Sequence, residues 1–243
     1  MAPDIIDLCD FYHSILGETV SQDIKVLISE AWSSCHDQII LGYGYTLPFL
    51  ESYDNNKNTI YSFMPAQQGI LRWPSQKPTR SALVDEETLP LPDQGIDRIL
   101  CIHALENCHY PSAFLKEMWR ILKPEGKILF IVPNRRGLWA QSDNNPLGCS
   151  RPYTMSQLTK LLTDHSFIPV FQGRGLYRFP TSSKFLVFFN SLFKKIGPKF
   201  LQKFSGILCV EVTKKVYAVA GKTGFTQSIK VVLPEFSGQH ARL

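Results

Sequence analysis

The sequence predicts an α/β fold built on a mostly parallel sheet. Short runs rich in Ile, Leu, Val and Phe recur through the first 133 residues and alternate with helical or turn segments, the pattern of βαβ units. One run, Ile96–Ile102, is continuously apolar, as a strand buried on both faces should be. The 243 residues are 44% hydrophobic and 19% charged, enough to build a core.

The elements follow in order. Residues 4–33 are expected to be helical, because Ile5, Leu8, Phe11, Tyr12, Ile15 and Leu16 recur at spacings of three and four. Gly17 is expected to interrupt the helix, which resumes from Val20 to Trp32. A strand at 38–41 runs directly into Gly42-Tyr43-Gly44. Further strands are expected at 59–63, 82–84, 96–102 and 127–132. The amphipathic stretch 112–122 reads as a helix stopped by Lys123-Pro124-Glu125-Gly126. Past Pro133 come a helix over 154–165 capped by Thr154, a strand at 167–171, and a basic amphipathic helix over 182–196. That helix breaks at Gly197-Pro198 and resumes to Phe204; a last strand or hairpin covers 207–219, with Lys214-Lys215 at its turn. The tail, 221–243, has little periodicity.

Charge is segregated along the chain. Residues 1–164 hold 14 basic and 19 acidic side chains, whereas 165–243 hold 12 basic and 2 acidic. No acid lies between Asp164 and Glu211. A basic face of this kind suits an anionic substrate, a membrane surface or an acidic partner. In the 182–204 segment Phe185, Phe189, Leu192, Phe193, Ile196 and Phe200 form a stripe flanked by lysines. The plainer reading packs that stripe on the sheet; the sharper one lays it on anionic lipid. Nucleic acid is not expected, since no recognition motif accompanies the basic stripe. The six cysteines show no CxxC spacing, so no metal or disulfide framework is expected. The start has no basic region with an apolar core and no apolar run reaches membrane-spanning length, which predicts a cytoplasmic protein, peripheral to membrane at most.

A parallel sheet takes ligands at the carboxyl ends of its strands. Gly42 and Gly44 follow the first strand, and two glycines there let backbone approach a ligand. Val84-Asp85-Glu86 ends the third, and Leu89-Pro-Leu-Pro-Asp93, Ile96-Asp97-Arg-Ile-Leu100, Ala104-Leu-Glu106 and Glu117-Met-Trp-Arg120-Ile-Leu-Lys-Pro-Glu-Gly126 follow. Over 38–133 this order and spacing resembles the class I S-adenosylmethionine-dependent methyltransferases of the type 11 branch. The run Val132-Pro-Asn-Arg-Arg-Gly-Leu-Trp139 is similar to that of a bacterial subgroup of methyltransferase-like proteins.

The resemblance implies a Rossmann-like, mostly parallel seven-stranded sheet in one domain over 1–220. N-terminal helices would occupy 1–35, the cofactor-binding core 38–133, and substrate-side and C-terminal sheet elements 134–220. It implies S-adenosylmethionine as cofactor, methyl transfer to an unidentified acceptor as the activity, and Gly42, Gly44, Tyr45, Met64, Asp85, Glu86 and His103 around the cofactor. Asp85 would accept from the adenine amino group. His103 would be the general base where an acceptor proton must leave. Arg135, Arg136, Trp139 and Tyr153 follow the fifth strand as candidate acceptor-binding residues. Glu106 is expected to cap the next helix. Two departures support an alternative, an inactive methyltransferase-like binding or regulatory module. Tyr45-Thr46 replaces the third glycine of the family loop, and Met64 stands where an acid should hold the ribose hydroxyls.

Overall fold

The computed structural model describes residues 3–180 apart from 34, 56, 76–77 and 143–144, together with 202–215 and 230–231. Helix α1 (Ile5–His13) is closed at its start by a capping box between Asp4 and Asp7. It ends at Ser14, which also caps α2 (Ile15–Ala31) by accepting from Gly17 N–H. The break therefore falls at Ser14, three residues before the expected one. Gly17 lies in the first turn of α2, and a Cβ there would collide with the Phe11 carbonyl.

Strand β1 (Ile39–Gly44) leads through the one-turn helix α3 (Leu47–Leu50) to β2 (Thr59–Pro65). Strands β3 (Ser81–Val84) and β4 (Ile96–Ile102) follow, then α4 (Pro111–Ile121) and β5 (Leu122–Pro133). The expected stop at 123–126 is a bulge within β5: Ile96 pairs with Leu122 and Arg98 with Lys127. Glu125 takes φ 61 there. Helix α5 (Met155–Asp164) starts from Thr154, whose hydroxyl and the Gln157 side chain form a capping box. Strands β6 (Phe167–Gly175), β7 (Ile207–Lys214) and the two-residue β8 (Lys230–Val231) complete the sheet. The basic helix expected over 182–196 and most of the tail lie outside the described residues.

The sheet order is β3-β2-β1-β4-β5-β7-β6-β8. Strands β1 to β5 are parallel, and β7 runs antiparallel to both β5 and β6. Because side chains alternate along a strand, β4 sends Leu100 and Ile102 toward α1, α2 and α3, and Ile99 and Cys101 toward α4 and α5. Helix α2 is anchored from within: Trp32 Nε1 donates to buried Glu211 of β7 at 2.9 Å. Lys214 is the last residue of β7, and beyond Lys215 the hairpin expected to 219 lies outside the described residues. The Lys214 ammonium reaches back from β7 to the Leu122 carbonyl at 2.5 Å, just past the C-terminus of α4, where a cation is favourable. Among the described residues no helix is long and apolar enough to cross a membrane.

Candidate active site

Strand order reverses between β1 and β4, the position where open α/β sheets bind ligands. Gly44 ends β1 at φ 84, and an added Cβ would collide with the Ile102 carbonyl oxygen. Glycine is what lets the two strand ends approach this closely. Gly42 is hemmed in by Thr46 and Leu50, so its missing Cβ makes room for the chain's own turn. Tyr45 donates its N–H to Ile102 O at 3.0 Å, and its ring stacks on Tyr12 of α1, with centroids 5.0 Å apart.

Past β4, His103 adopts φ 54, a left-handed conformation uncommon for a residue with a Cβ. Its Nε2 lies 2.8 Å from Tyr12 Oη and its Nδ1 3.4 Å from Glu106 Oε1. His103 and Glu106 are each 1% exposed. Burial, then Tyr45 and Glu106, holds the Tyr12 phenol well above its ordinary pKa. A phenol that keeps its proton can donate to Nε2, which leaves the imidazole proton on Nδ1, facing Glu106. Glu106 does not cap α4, whose N-cap is Tyr110. Neither of its oxygens has a hydrogen-bond partner among the described residues, and the same holds for His103 Nδ1, Gln68 Oε1, Asn107 Oδ1 and Thr46 Oγ1. Buried polar groups are almost always partnered, so this cluster at one strand end marks a place suited to a polar ligand.

Gln68 spans the crevice, donating from Nε2 to His103 O at 2.9 Å, while its own carbonyl accepts from Ile5 N–H at 2.7 Å. Beside it lies a cavity of about 10 Å³ bounded by Pro3, Pro65, Glu86, His103 and Asn107. Met64 is buried beside it, its sulfur accepting from Leu71 N–H at 3.2 Å. Glu86 accepts from Cys108 Sγ at 3.1 Å, from His109 N–H at 3.3 Å and from the Gln67 amide. Asp85 is exposed at the rim and accepts from Glu87 N–H at 2.8 Å. The structure thus gathers Gly44, Tyr45, Met64, Glu86 and His103 at one crevice, with Gly42 beneath it and Asp85 at its edge.

The four candidate acceptor residues separate. Arg135 and Tyr153 meet at a short parallel bridge between Asn134 and Tyr153, with Arg135 N–H donating to Tyr153 O at 2.9 Å and Tyr153 N–H to Pro133 O at 3.1 Å. The same loop is tied to the crevice by Arg151 N–H, which donates to Glu106 O at 3.1 Å. Burial and then nearby Glu106 push the Tyr153 phenol up to about 12. Arg136 is exposed and opens on a cavity of about 980 Å³ between α5, the end of β6 and the start of β7. Lys160, Arg174 and Lys203 also line that cavity, and among the described residues no Asp or Glu does. Trp139 lines neither space. It is buried in the core with Leu176, and its Nε1 donates to Arg178 O at 2.6 Å. The expectation that it binds the acceptor is replaced by a role in holding the loop after β5. Tyr12 and Gln68 were not expected at the crevice; nothing local in the sequence marks either.

A family described as "Methyltransferase domain" matches residues 40–130, which run from β1 into β5. Over these residues the chain matches a methyltransferase domain. A probable S-adenosylmethionine-dependent methyltransferase of Mycolicibacterium smegmatis is 33% identical to it over 95 residues, 36% of this chain and 37% of the relative. A ubiquinone/menaquinone biosynthesis C-methyltransferase of Bordetella avium is 44% identical over 54 residues, 22% of this chain and 21% of the relative. The matches thus span about a third or less of these curated relatives. The crystal structure of an S-adenosylmethionine-dependent methyltransferase of Thermotoga maritima, a possible histamine N-methyltransferase, superposes with a TM-score of 0.59 at 14% identity. That superposition covers 87% of this chain and 96% of the other, and extends the fold likeness well beyond residue 130.

The matched region offers polar groups suited to the methyl donor, with little space beside His103. Asp85, the buried polar atoms around His103 and the close backbone at Gly44 suit a nucleoside with a charged amino-acid tail. A cavity of about 10 Å³ holds roughly one water, whereas small-molecule sites run to roughly 300–1,000 Å³. In this conformation the cavity beside His103 is too small to hold the donor.

Proposed function

We propose that the chain transfers a methyl group from S-adenosylmethionine to an acceptor bearing a negative charge. The observation that carries the donor half is the set of unpartnered buried polar atoms at the β1–β4 reversal, inside a methyltransferase domain. When bound, the donor supplies a methyl group already activated on a sulfonium, so the chain's task is to bind, orient and exclude water. Around the donor the reading assigns Gly44, Tyr45 and Met64 to the backbone side, Asp85 and Glu86 to the adenine end, and His103 to the reacting end, where it takes a proton if the acceptor carries one. Gly42 supports the turn beneath. The acceptor half rests on the basic cavity beside α5, with Arg136 and its three cationic neighbours as anion contacts and Arg135 and Tyr153 shaping the connecting loop.

Calorimetric titration with S-adenosylhomocysteine tests the donor half, and Asp85→Ala should weaken binding. For the acceptor half, carboxylated and phosphorylated small molecules should raise the melting temperature, an effect lost in Arg136→Glu. A second reading, an inactive binding module, is favoured by Met64, whose sulfur is engaged by Leu71 N–H and cannot accept from ribose as a carboxylate would. Absence of any donor binding at millimolar concentration would support it.

A further inference from the structure

We infer that α1 is a movable cover over the donor crevice, with Tyr12 as the group that fills it, and that α1 swings away at Ser14 to admit the donor. The inference rests on the donor reading above. Part of what occupies the crevice is supplied by α1, beside Gln68 from the loop after β2. Tyr12 comes from 91 positions before His103, yet its hydroxyl sits 2.8 Å from Nε2 at the tip of β4. Its ring lies flat on Tyr45, immediately after the Gly44 turn, and edge-on to Phe49. The phenol thus lies between the end of β1 and the tip of β4, where the strand order reverses.

The attachment of α1 differs from that of its neighbour. Helix α2 places Val20, Ile24, Leu27 and Ile28 in the core and is fixed to β7 through Trp32 and Glu211. Helix α1 places Ile5, Leu8 and Tyr12 inward and, among the described residues, meets the strand ends through Ile5 N–H to Gln68 O, Tyr12 Oη to His103 Nε2 and a Cys9–Tyr45 side-chain contact, with no link into the far strands of the sheet like that of Trp32. Between the two helices, Ser14 has extended backbone (φ −75, ψ 157), and Ile15 beside it is 88% exposed. A rotation there moves α1 while α2 stays seated, the geometry of a hinge at an element terminus.

The polar atoms beneath the cover supply the reason to open. Among the described residues His103 Nδ1, the Glu106 carboxylate and Asn107 Oδ1 are buried without hydrogen-bond partners while Tyr12 is in place, His103 and Glu106 facing each other at 3.4 Å. His103 also holds a left-handed backbone, and such strain clusters where a site is prepared for a ligand. A ligand that binds only the open form sees its affinity reduced by the fraction open, and weakening the closed form recovers that factor.

The test uses the full chain with S-adenosylhomocysteine as the probe. Gly69 sits at φ 91, where any side chain is strained, but a Cβ built there lies 3.7 Å from Ile5 Cβ, within the range of roughly 3.5–4.5 Å that a disulfide needs, so the comparison is made between oxidised and reduced forms of the same folded variant. The double variant Ile5→Cys/Gly69→Cys, oxidised with glutathione disulfide and verified by mass spectrometry, should hold α1 closed. Oxidised, it is expected to bind the probe at least about tenfold more weakly than when reduced, and reductant should restore binding. Tyr12→Ala is expected to bind on the order of tenfold more tightly than wild type, with Tyr12→Phe between them. Hydrogen exchange of residues 5–13 should accelerate when the probe binds. Equal binding by oxidised and reduced forms, or Tyr12→Ala binding no better than wild type, overturns the cover. If wild type, reduced double variant and folded Tyr12→Ala all fail to bind millimolar probe, the donor reading falls too.

Discussion

Glu106→Gln should make the protein more stable. Glu106 is 1% exposed, both its oxygens lack hydrogen-bond partners among the described residues, and the nearest cation-forming group, His103 Nδ1, is 3.4 Å away. Burying a polar group without its hydrogen bonds costs about 1–3 kcal/mol, more when it is charged. Glutamine keeps the shape, drops the charge and keeps a carbonyl oxygen that can accept from His103 Nδ1–H. Recovering about 1–3 kcal/mol, at roughly 2–4 °C per kcal/mol for a domain of this size, raises the melting midpoint by about 2–12 °C. Differential scanning calorimetry at neutral pH reads this directly, with circular dichroism as the control for fold. The same variant should lose affinity for S-adenosylhomocysteine, because a group kept at a cost to stability belongs to function rather than to packing. A midpoint lowered by several degrees would refute the reasoning, showing that the carboxylate is a satisfied structural partner of His103.

Three further outcomes follow from the same geometry. Gly44→Ala meets both the Ile102 carbonyl and φ 84, and should lower stability by more than about 1–2 kcal/mol in urea denaturation. Thr154→Ala removes the hydroxyl half of the α5 capping box and should cost about 1 kcal/mol in the same assay. Glu117 accepts from Arg120 and from Leu89 N–H, and the Arg120 hydrogen bonds chiefly hold its carboxyl below the ordinary 4.5. A depressed native pKa contributes stability above the unfolded value and loses it as pH falls through the native one. The gap between wild type and Glu117→Gln should therefore be full near neutrality and close on acidification below 4.5, measured by melts across pH.

The fold was legible where the signal is local or continuous. Ile96–Ile102 appears as expected because an apolar run of that length has one comfortable home, the middle of a parallel sheet. Thr154 reads as a cap because a capping box is complete within four residues. Gly17 misled because glycine interrupts helices by propensity, whereas here it relieves contact with the Phe11 carbonyl just after the real break. The bulge at 123–126 looked like a simple stop, since what extends β5 through it is pairing with β4.

The site divided in the same way. The residues gathered around Gly44, His103 and Glu86 stand at strand ends, and strand ends can be counted along the chain. Tyr12 could be placed only on an apolar helical face; its meeting with His103 depends on how α1 lies across the finished sheet. Trp139 carried no signal separating a pocket wall from a core residue, and burial decided it. Glu106 fitted both a motif and a helix cap, and only its seclusion beside His103 shows that it caps nothing.

The most direct test of the central claim is a calorimetric titration of the folded wild-type chain with S-adenosylhomocysteine into the millimolar range, repeated with Asp85→Ala and Tyr12→Ala. The account predicts saturable one-to-one binding that weakens in Asp85→Ala and strengthens in Tyr12→Ala. No binding heat and no rise in melting temperature in any of the three would contradict it.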